Sequence, residues 1–355
     1  MIVCGPVDYG GAGKIIKFVV NHLVKKGWSI TIYSLYQKDR PEALDERVNY
    51  IGRDGLNDKK YKFLHWRIDE LIQIRSVVKK EHPKILCAFV SNYVFMTRLA
   101  TLGLKGLKFV GAERGDPYTL PSKWIKPVSW AYEHCDYCIF QLRKQGLFFG
   151  ERVMSKSFVI PNPYIPLYDI TPYTGERNNT IVSAGRFEYQ KGYDVLIKAF
   201  AIVHAKHPNY KLILFGSGSL IDEYEELANS LNLTPFIEYP GYVDNVADSV
   251  KKEGLFVLPS RFEGIPNALI EALSVGIPTI SADCTPGGPD FLTDHGKRGM
   301  LVKVDDIEGT AQAINYLIEN PSKATEYGSA GQEIVKELAP EEIAKQWENA
   351  FSCMM

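Results

Sequence analysis

The sequence predicts an α/β protein made of two doubly wound, Rossmann-like domains, and three features indicate this fold. A chain of 355 residues exceeds one ordinary domain core, so two compact domains are expected. Short apolar segments bounded by Gly, Pro or Asp alternate with longer amphipathic segments, which is the pattern of βα units around parallel sheets. The prolines at 161, 163 and 166 fix φ and lack a backbone N–H, so they predict a linker there.

The βα alternation can be followed along the chain. In the first half, strands are predicted at 2–5, 29–33, 85–89, 108–112, 137–140 and 158–160. After residue 179 the cycle restarts, with strands predicted at 180–184, 211–215, 236–239, 255–258, 279–281 and 299–302. We therefore expect an N-terminal domain at 1–163 and a C-terminal domain at 164–339. The last predicted helix, 341–352, has no following strand to cover, so residues 340–355 are expected to pack back on the first domain.

Composition narrows the class of protein. Apolar residues make up 45% of the chain and charged residues 23%, which is typical of a globular protein. No apolar run approaches the ~20 residues of a spanning helix, and the N-terminus lacks a signal-peptide layout, so a cytoplasmic location is expected. The six cysteines are scattered, which argues against a disulfide framework. Cys135 and Cys138 form a C-x-x-C that closes a helix instead of opening one, which favours packing over redox chemistry.

Charge is distributed unevenly along the chain. Residues 1–160 hold 26 Lys and Arg against 15 Asp and Glu, whereas residues 161–355 hold 15 against 27. In the segment 59–67, Lys59, Lys60 and Lys62 alternate with Phe63, Leu64 and Trp66. Such a segment predicts that the first domain docks on an anionic membrane surface, as a peripheral protein on the inner face of the plasma membrane. The alternatives are an ordinary amphipathic helix and a simple difference in surface composition. No nucleic-acid partner is expected.

The segment 259–273 carries the strongest chemical signal and reads as strand, tight turn and helix. Pro266 suits a first helical turn and Asn267 suits capping, so backbone N–H groups from Ile265 onwards would form an anion site. Glu271, one helical turn beyond Asn267, could accept hydrogen bonds from a ribose, and Glu263 could reach a sugar. Either carboxylate alone could equally be a dipole-compensating surface charge.

With its flanking residues, this segment resembles the retaining glycosyltransferases of family 4. Their signature is Glu, seven residues and Glu, preceded by Pro-Ser and followed by Ala-Leu and Gly-x-Pro, and here it runs from Glu263 to Glu271. The resemblance implies the GT-B fold, in which two Rossmann-like domains face each other across a cleft. It also implies that Arg186 and Lys191 bind the donor diphosphate, with Gly216 beside it. Two such cations can neutralise a leaving group without a metal, so no metal ion or cofactor is expected.

A glycine loop follows the first predicted strand. In Gly10-Gly11-Ala12-Gly13-Lys14 the third glycine of the dinucleotide fingerprint is absent. A triphosphatase P-loop would require Gly where Asp8 stands and Ser or Thr where Ile15 stands. The family resemblance implies instead that Gly10 and Gly11 close over the donor diphosphate, since bare backbone approaches phosphates closely.

A polar segment ends a strand of the first domain. The residues Glu113, Arg114 and Asp116 resemble a Ser-Glu-Arg-Asn-Asp-Pro segment of relatives that extend lipid-linked glycans. Other members of the family have a His near this position that faces the transferred sugar, and this chain lacks it. We therefore expect these three residues to lie in the cleft, without assigning roles to them.

The resemblance implies a function: transfer of a sugar from a nucleotide diphosphate, UDP above all, to a glycan hydroxyl with retention. The glycan is expected to be lipid-linked, as in bacterial surface polysaccharide synthesis. Arg186, Lys191 and Glu263 are the predicted catalytic residues, and Gly10, Gly11, Gly216, Ile265, Pro266, Asn267 and Glu271 the predicted donor-binding residues. A sugar-nucleotide epimerase of the same fold and a non-catalytic sugar-nucleotide-binding subunit remain alternatives.

Overall fold

The structure is a computed structural model that describes residues 1–8, 10–53, 63–166, 173 and 175–355. Of the predicted membrane-contact segment, residues 59–62 and the side chains of residues 63–67 lie outside the described part. No helix in the described part of the chain is long and apolar enough to cross a bilayer.

The strands and helices alternate along the chain. The strands are β1 Ile2–Cys4, β2 Thr31–Ser34, β3 Asn49–Gly52, β4 Ile85–Phe89, β5 Lys108–Ala112, β6 Tyr137–Phe140, β7 Ser157–Val159, β8 Thr180–Ala184, β9 Lys211–Phe215, β10 Ile237–Gly241, β11 Leu255–Leu258, β12 Thr279–Ala282 and β13 Met300–Val302. The helices are α1 Gly10–Lys25, α2 Phe63–Glu81, α3 Ser91–Ala100, α4 Ser122–Glu133, α5 Arg143–Phe148, α6 Glu151–Met154, α7 Tyr193–Lys206, α8 Ile221–Ser230, α9 Val246–Val250, α10 Asn267–Ser274, α11 Gly288–Leu292, α12 Ile307–Glu319, α13 Pro321–Gly331, α14 Ile334–Glu337 and α15 Pro340–Ser352.

Within the described residues these strands form two sheets. The first has the order β3-β2-β1-β4-β5-β6-β7 and the second the order β10-β9-β8-β11-β12-β13. The pairings in both sheets are parallel, for example Ile2 with Ile32 in the first and Ile181 with Leu212 in the second. In each sheet the strand order reverses beside the first strand, which is the doubly wound arrangement. The predicted α/β class and the doubly wound arrangement of both sheets are confirmed.

Strand β3 was not predicted from the sequence. It pairs with β2 alone, from Thr31–Asn49 to Ser34–Gly52, and its residues are exposed or half-buried. An edge strand with an Asn and a Gly lacks the apolar run by which the buried strands were recognised. The predicted strands 85–89, 108–112, 137–140, 180–184, 211–215 and 255–258 have the predicted bounds, whereas the others shift by one or two residues at one or both ends.

The chain forms two compact units. The first comprises Met1–Pro163 with Pro340–Met355, and the second comprises Tyr164–Ala339. Helix α15 belongs to the first unit, where Trp347 is fully buried and stacks on Phe89 with ring centroids 5.8 Å apart. The first unit therefore completes its core with residues that follow the whole second unit in sequence.

Each unit has its own apolar core. In the first unit, Leu86, Phe109 and Phe140 lie on the central strands, and in the second, Ile181, Leu214 and Val257 do so. Each of the six cysteines is a free thiol, and all except Cys353 are buried. The Cys135 and Cys138 thiols point to the Ala131 and Tyr132 carbonyl oxygens, as expected of cysteines used for packing.

Candidate active site of the second unit

The candidate site of the second unit lies where β8, β9 and β11 end. The segments that follow β8 and β9 are held together by backbone hydrogen bonds from Gly185 N to Phe215 O and from Phe187 N to Ser217 O. Gly216 has φ of 140°, and a Cβ added there would lie 1.8 Å from Gly185 O. Only glycine therefore fits at the position where these two segments meet.

Two of the predicted catalytic side chains form an ion pair. Lys191 Nζ lies 2.5 Å from Glu263 Oε1, and their side chains are only 12% and 9% exposed. Ser260 Oγ donates to the same carboxylate oxygen at 2.9 Å. A carboxylate removed from water needs such partners, so these two donors fix the orientation of Glu263.

Gln190 links this pair to the third predicted catalytic residue. Its Nε2 donates to Phe262 O at 2.9 Å and to Glu263 Oε2 at 3.3 Å. Its Oε1 accepts from Nη2 of the exposed Arg186 at 3.0 Å. The structure thus brings Arg186, Lys191 and Glu263 together around one amide. Sequence reasoning missed Gln190, which stands next to the predicted Lys191, and Ser260, which lies within the segment 259–273.

The turn before α10 differs in detail from the prediction. The helix begins at Asn267, with Pro266 at the N-cap position, and Pro266 provides no side-chain cap. Pro266 therefore precedes the first turn, and Asn267 stands within it and is not the cap, which corrects the predicted order. Ile265 is buried, and its segment leads from Glu263 into the positive end of the helix dipole.

Glu271 joins α10 to the start of α9. Its Oε2 accepts a hydrogen bond from Val246 N at 2.9 Å. Asn245 caps the same helix through Oδ1, which accepts from Asp248 N at 3.1 Å. Tyr242, which precedes this segment, is largely exposed; partial desolvation of its phenol, together with the nearby Asp244, raises its pKa. Glu271 is thus half-buried beside the loop that follows β10, and its position relative to a nucleotide stays a prediction.

In the first unit, the predicted phosphate loop coincides with a helix start. Gly10 and Gly11 are the first residues of α1, which follows β1 after a short connection. No acidic residue occupies the first turn of this helix. This arrangement suits an anion at the helix N-terminus, and the contact with a diphosphate stays a prediction.

The predicted cleft residues of the first unit are engaged within that unit. Glu113 is 2% exposed, and it accepts hydrogen bonds from Ser91 Oγ, from Tyr132 Oη at 3.1 Å and from Gly115 N at 2.8 Å. Burial raises the pKa of the Tyr132 phenol, and the neighbouring Glu113 adds to this effect. The carboxylate therefore orders the end of β5 and the loop that follows it.

Arg114 is also buried. Its Nη1 donates to Ile160 O at 2.9 Å, and its guanidinium lies 4.7 Å from the ring centroid of Trp347 in α15. Burial lowers its pKa to about 9. Asp116, in contrast, is half-buried and accepts from Tyr118 N at 2.9 Å, where it caps a short 3₁₀ turn. The predicted location of these residues in a cleft stays a prediction.

Most of the second unit matches a known protein family. Residues 173–334 match the family model described as glycosyl transferases group 1. Over nearly their whole lengths, the chain is similar to an uncharacterised glycosyltransferase of Haemophilus influenzae, with 22% identity and 95% of each chain covered. It is also 22% identical to an α-1,4-N-acetyl-D-galactosaminyltransferase of Campylobacter jejuni, and the match covers 97% of this chain and 96% of the relative. That relative is named for an acceptor glycan carried on PP-undecaprenol.

Solved structures share the fold along the whole chain. A sucrose-phosphate synthase of Thermosynechococcus elongatus superimposes with a TM-score of 0.82 at 18% identity, covering 99% of this chain and 98% of that one. The Anabaena protein HepE in complex with UDP and glucose superimposes with a TM-score of 0.78 at 16% identity, covering 99% of each chain. At these identities the likeness concerns the fold alone.

Proposed function

We propose that this chain moves a sugar from a UDP-sugar to a glycan hydroxyl with retention of the anomeric configuration. The fold and the relatives both support a GT-B glycosyltransferase, and the proposal proceeds from that. The observation that carries the proposal is the group formed by Lys191, Glu263, Gln190 and Arg186 at the ends of β8 and β11. It combines cations suited to a diphosphate with a carboxylate suited to sugar hydroxyls.

Stabilisation of the leaving group is the main requirement of this reaction. Arg186 and Lys191 neutralise the charge that develops on the diphosphate, and the N-terminus of α10 adds the positive end of its dipole. Glu263 holds hydroxyl groups of the donor sugar, and Glu271 accepts hydrogen bonds from the ribose. Lys191 already pairs with Glu263, so the diphosphate enters a site in which this cation is held in place.

The proposed chemical step is a front-face displacement. The acceptor oxygen bonds to the anomeric carbon while the bond from that carbon to the phosphate oxygen breaks. The acceptor's proton passes to the departing phosphate oxygen, and UDP leaves with the electron pair of the broken bond. The step uses no carboxylate nucleophile. It uses no metal ion, because Arg186 and Lys191 stabilise the negative charge of the leaving diphosphate.

The acceptor is proposed to be a lipid-linked glycan of bacterial surface polysaccharide synthesis. The Campylobacter relative, named for a glycan on PP-undecaprenol, supports this class of acceptor. The excess of basic residues in 1–160 supports a docking role for the first unit on an anionic membrane.

The proposal is tested by release of UDP from a panel of UDP-sugars, with and without lipid-linked glycan acceptors. We expect acceptor-dependent UDP release that persists in excess EDTA, and a product whose anomeric configuration, measured by NMR, equals that of the donor. Activity lost in EDTA and restored by magnesium or manganese would contradict the metal-free step. A product with the inverted configuration would contradict retention. Conversion of the donor to its epimer without UDP release would show that the protein is an epimerase and not a transferase.

A further inference from the structure

We propose that Arg261 is a positioning residue of the donor site, which holds the short turn carrying Gln190 and Lys191 against the segment carrying Glu263. The inference rests on the proposed function and deepens it, because it assigns a role to a residue that the reaction itself does not use. In sequence, Arg261 follows β11 and lies between Ser260 and Glu263. Its side chain is only 11% exposed.

Arg261 binds the turn through both its backbone and its side chain. Its backbone N donates to Gln190 O at 2.8 Å, and its Nη1 donates to Tyr189 O at 2.8 Å. The guanidinium also lies over the Tyr189 ring, 4.2 Å from the centroid. Two successive carbonyl oxygens of the 3₁₀ turn Tyr189–Lys191 are therefore held by this one residue.

Two carboxylates also bind the guanidinium. Nη2 donates to Asp194 Oδ2 and Nε to Asp305 Oδ1, each at 2.7 Å. Burial opposes the charge of Arg261, but the hydrogen bonds with Asp194 and Asp305 outweigh it and raise the pKa. Because two carboxylates already neutralise this cation, it suits an internal brace better than a phosphate ligand.

The turn depends on such outside contacts. A single 3₁₀ turn makes few hydrogen bonds of its own, and here Gly192 N donates to Tyr189 O at 3.3 Å. Gly192 has φ of 65°, and a Cβ there would lie 2.3 Å from Pro259 O, so the turn closes directly onto the segment after β11. From this turn, the Gln190 side chain donates to Phe262 O and the Lys191 side chain donates to the Glu263 carboxylate.

Accurate placement of Lys191 matters because a misplacement of about 1 Å can cost on the order of 10²-fold in rate. Lysine cannot replace arginine at position 261, since one ammonium lacks the planar fork that reaches Tyr189 O, Asp194 and Asp305 in different directions. We therefore expect Arg261→Lys to resemble Arg261→Gln.

The test compares UDP binding by the full chain, measured by calorimetric titration, in Arg261→Gln and in a matched control. Arg298 is the control because it belongs to the same unit, is 13% exposed and pairs with Glu337, far along the chain from the turn. Removal of a positioning residue should weaken UDP binding about 10-fold in Arg261→Gln, whereas Arg298→Gln should stay within about 2-fold of wild type. Equal UDP affinity in the folded Arg261→Gln protein would overturn the proposal.

A double-mutant cycle separates positioning from general loss of structure. If Arg261 acts through Lys191, Arg261→Gln should change UDP affinity less than about 2-fold when Lys191→Ala is already present, because the two residues are coupled. An undiminished effect in that background would show that Arg261 acts by another route and would overturn the proposal.

Hydrogen–deuterium exchange of the protein without ligand gives an independent readout. Peptides covering residues 189–192 should exchange faster in Arg261→Gln than in wild type or Arg298→Gln. If wild type binds no UDP, the proposed function fails and the exchange measurement alone decides the role of Arg261. Unchanged protection of the turn would overturn that role even if UDP binds.

Discussion

The Lys191–Glu263 pair is the central residue-level feature of the second unit. Both side chains are largely removed from water, and Ser260 and Gln190 supply further hydrogen bonds to the carboxylate. A buried pair of this kind contributes little net stability, but removal of one partner leaves an uncompensated charge and costs about 3–5 kcal/mol. The residues therefore need to be tested in a way that separates catalysis from stability.

At the residue scale, we expect Lys191→Ala and Glu271→Ala each to lower donor turnover by at least about 100-fold, a size typical of removing one preorganised charge-stabilising group. The measurement is UDP release at saturating donor, with circular dichroism to confirm folding. Lys198→Ala serves as the control, because Lys198 is exposed on α7. Near-normal turnover in both folded variants would contradict the site assignment.

In the Lys191→Ala variant the buried Glu263 carboxylate has lost its cation, and a second substitution can remove that charge. Lys191→Ala combined with Glu263→Gln should recover part of the stability lost in Lys191→Ala, since no charge is then left unpaired. Turnover should not recover with it. A double variant that regained turnover would indicate that Lys191 serves only to stabilise the fold.

At the scale of elements, the site is built from segments that follow parallel strands. The ends of β8 and β9 approach so closely that Gly216 lies against Gly185 O, and Gly216 N in turn donates to Gly241 O at 2.8 Å. The carboxyl ends of parallel strands meet at one edge, which is why residues far apart in sequence converge there.

Gly216→Ala tests this packing of strand ends. Gly241→Ala is the matched control, since Gly241 also has positive φ, of 90°, but nothing lies within 4 Å of an added Cβ. The control should lose about 1–3 kcal/mol of unfolding free energy from backbone strain alone. Gly216→Ala should lose more and also weaken UDP binding, because the added methyl displaces backbone. Equal losses in urea denaturation would show that the close approach is unimportant.

At the scale of the whole molecule, the chain returns to its first unit after completing the second. His22 Nε2 of α1 lies 3.1 Å from Glu348 Oε2 of α15, and the ring centroid of Trp28 lies 6.2 Å from that of Phe351, which is also in α15. Trp347 of the same helix is fully buried, stacks on Phe89 and contacts the Arg114 guanidinium.

Trp347→Ala should lower the free energy of unfolding of the first unit by about 3–5 kcal/mol, because it leaves a cavity where an aromatic side chain was fully buried. Lys345→Ala, on the exposed face of the same helix, should change it by less than about 0.5 kcal/mol. Urea denaturation measures both variants. Similar, small effects would mean that α15 adds little to the core.

Membrane docking is also a property of the whole molecule. With about 1 kcal/mol for each basic residue near an anionic surface, a few lysines give weak binding that salt screens. Co-sedimentation should show binding to anionic vesicles that falls as salt rises and weakens when Lys59, Lys60 and Lys62 become Gln. Equal pelleting with neutral and anionic vesicles would contradict docking by charge.

The sequence by itself determined the α/β class, the bounds of six strands and the motifs that resemble those of a glycosyltransferase family. These features are local, because buried parallel strands read as apolar runs and because glycines and prolines mark turns. The short edge strand β3 escaped prediction because its residues are half-exposed and have no such pattern.

The tertiary structure decided which side chains meet. The sequence separates Lys191 from Glu263 by 72 positions, and only the parallel pairing of β8 with β11 brings them to one edge of the sheet. It also assigned internal partners to Glu113 and Arg114, which the sequence had suggested as cleft residues. Hydrogen-bond partners of this kind depend on the register of strands distant in sequence, and no local pattern encodes them.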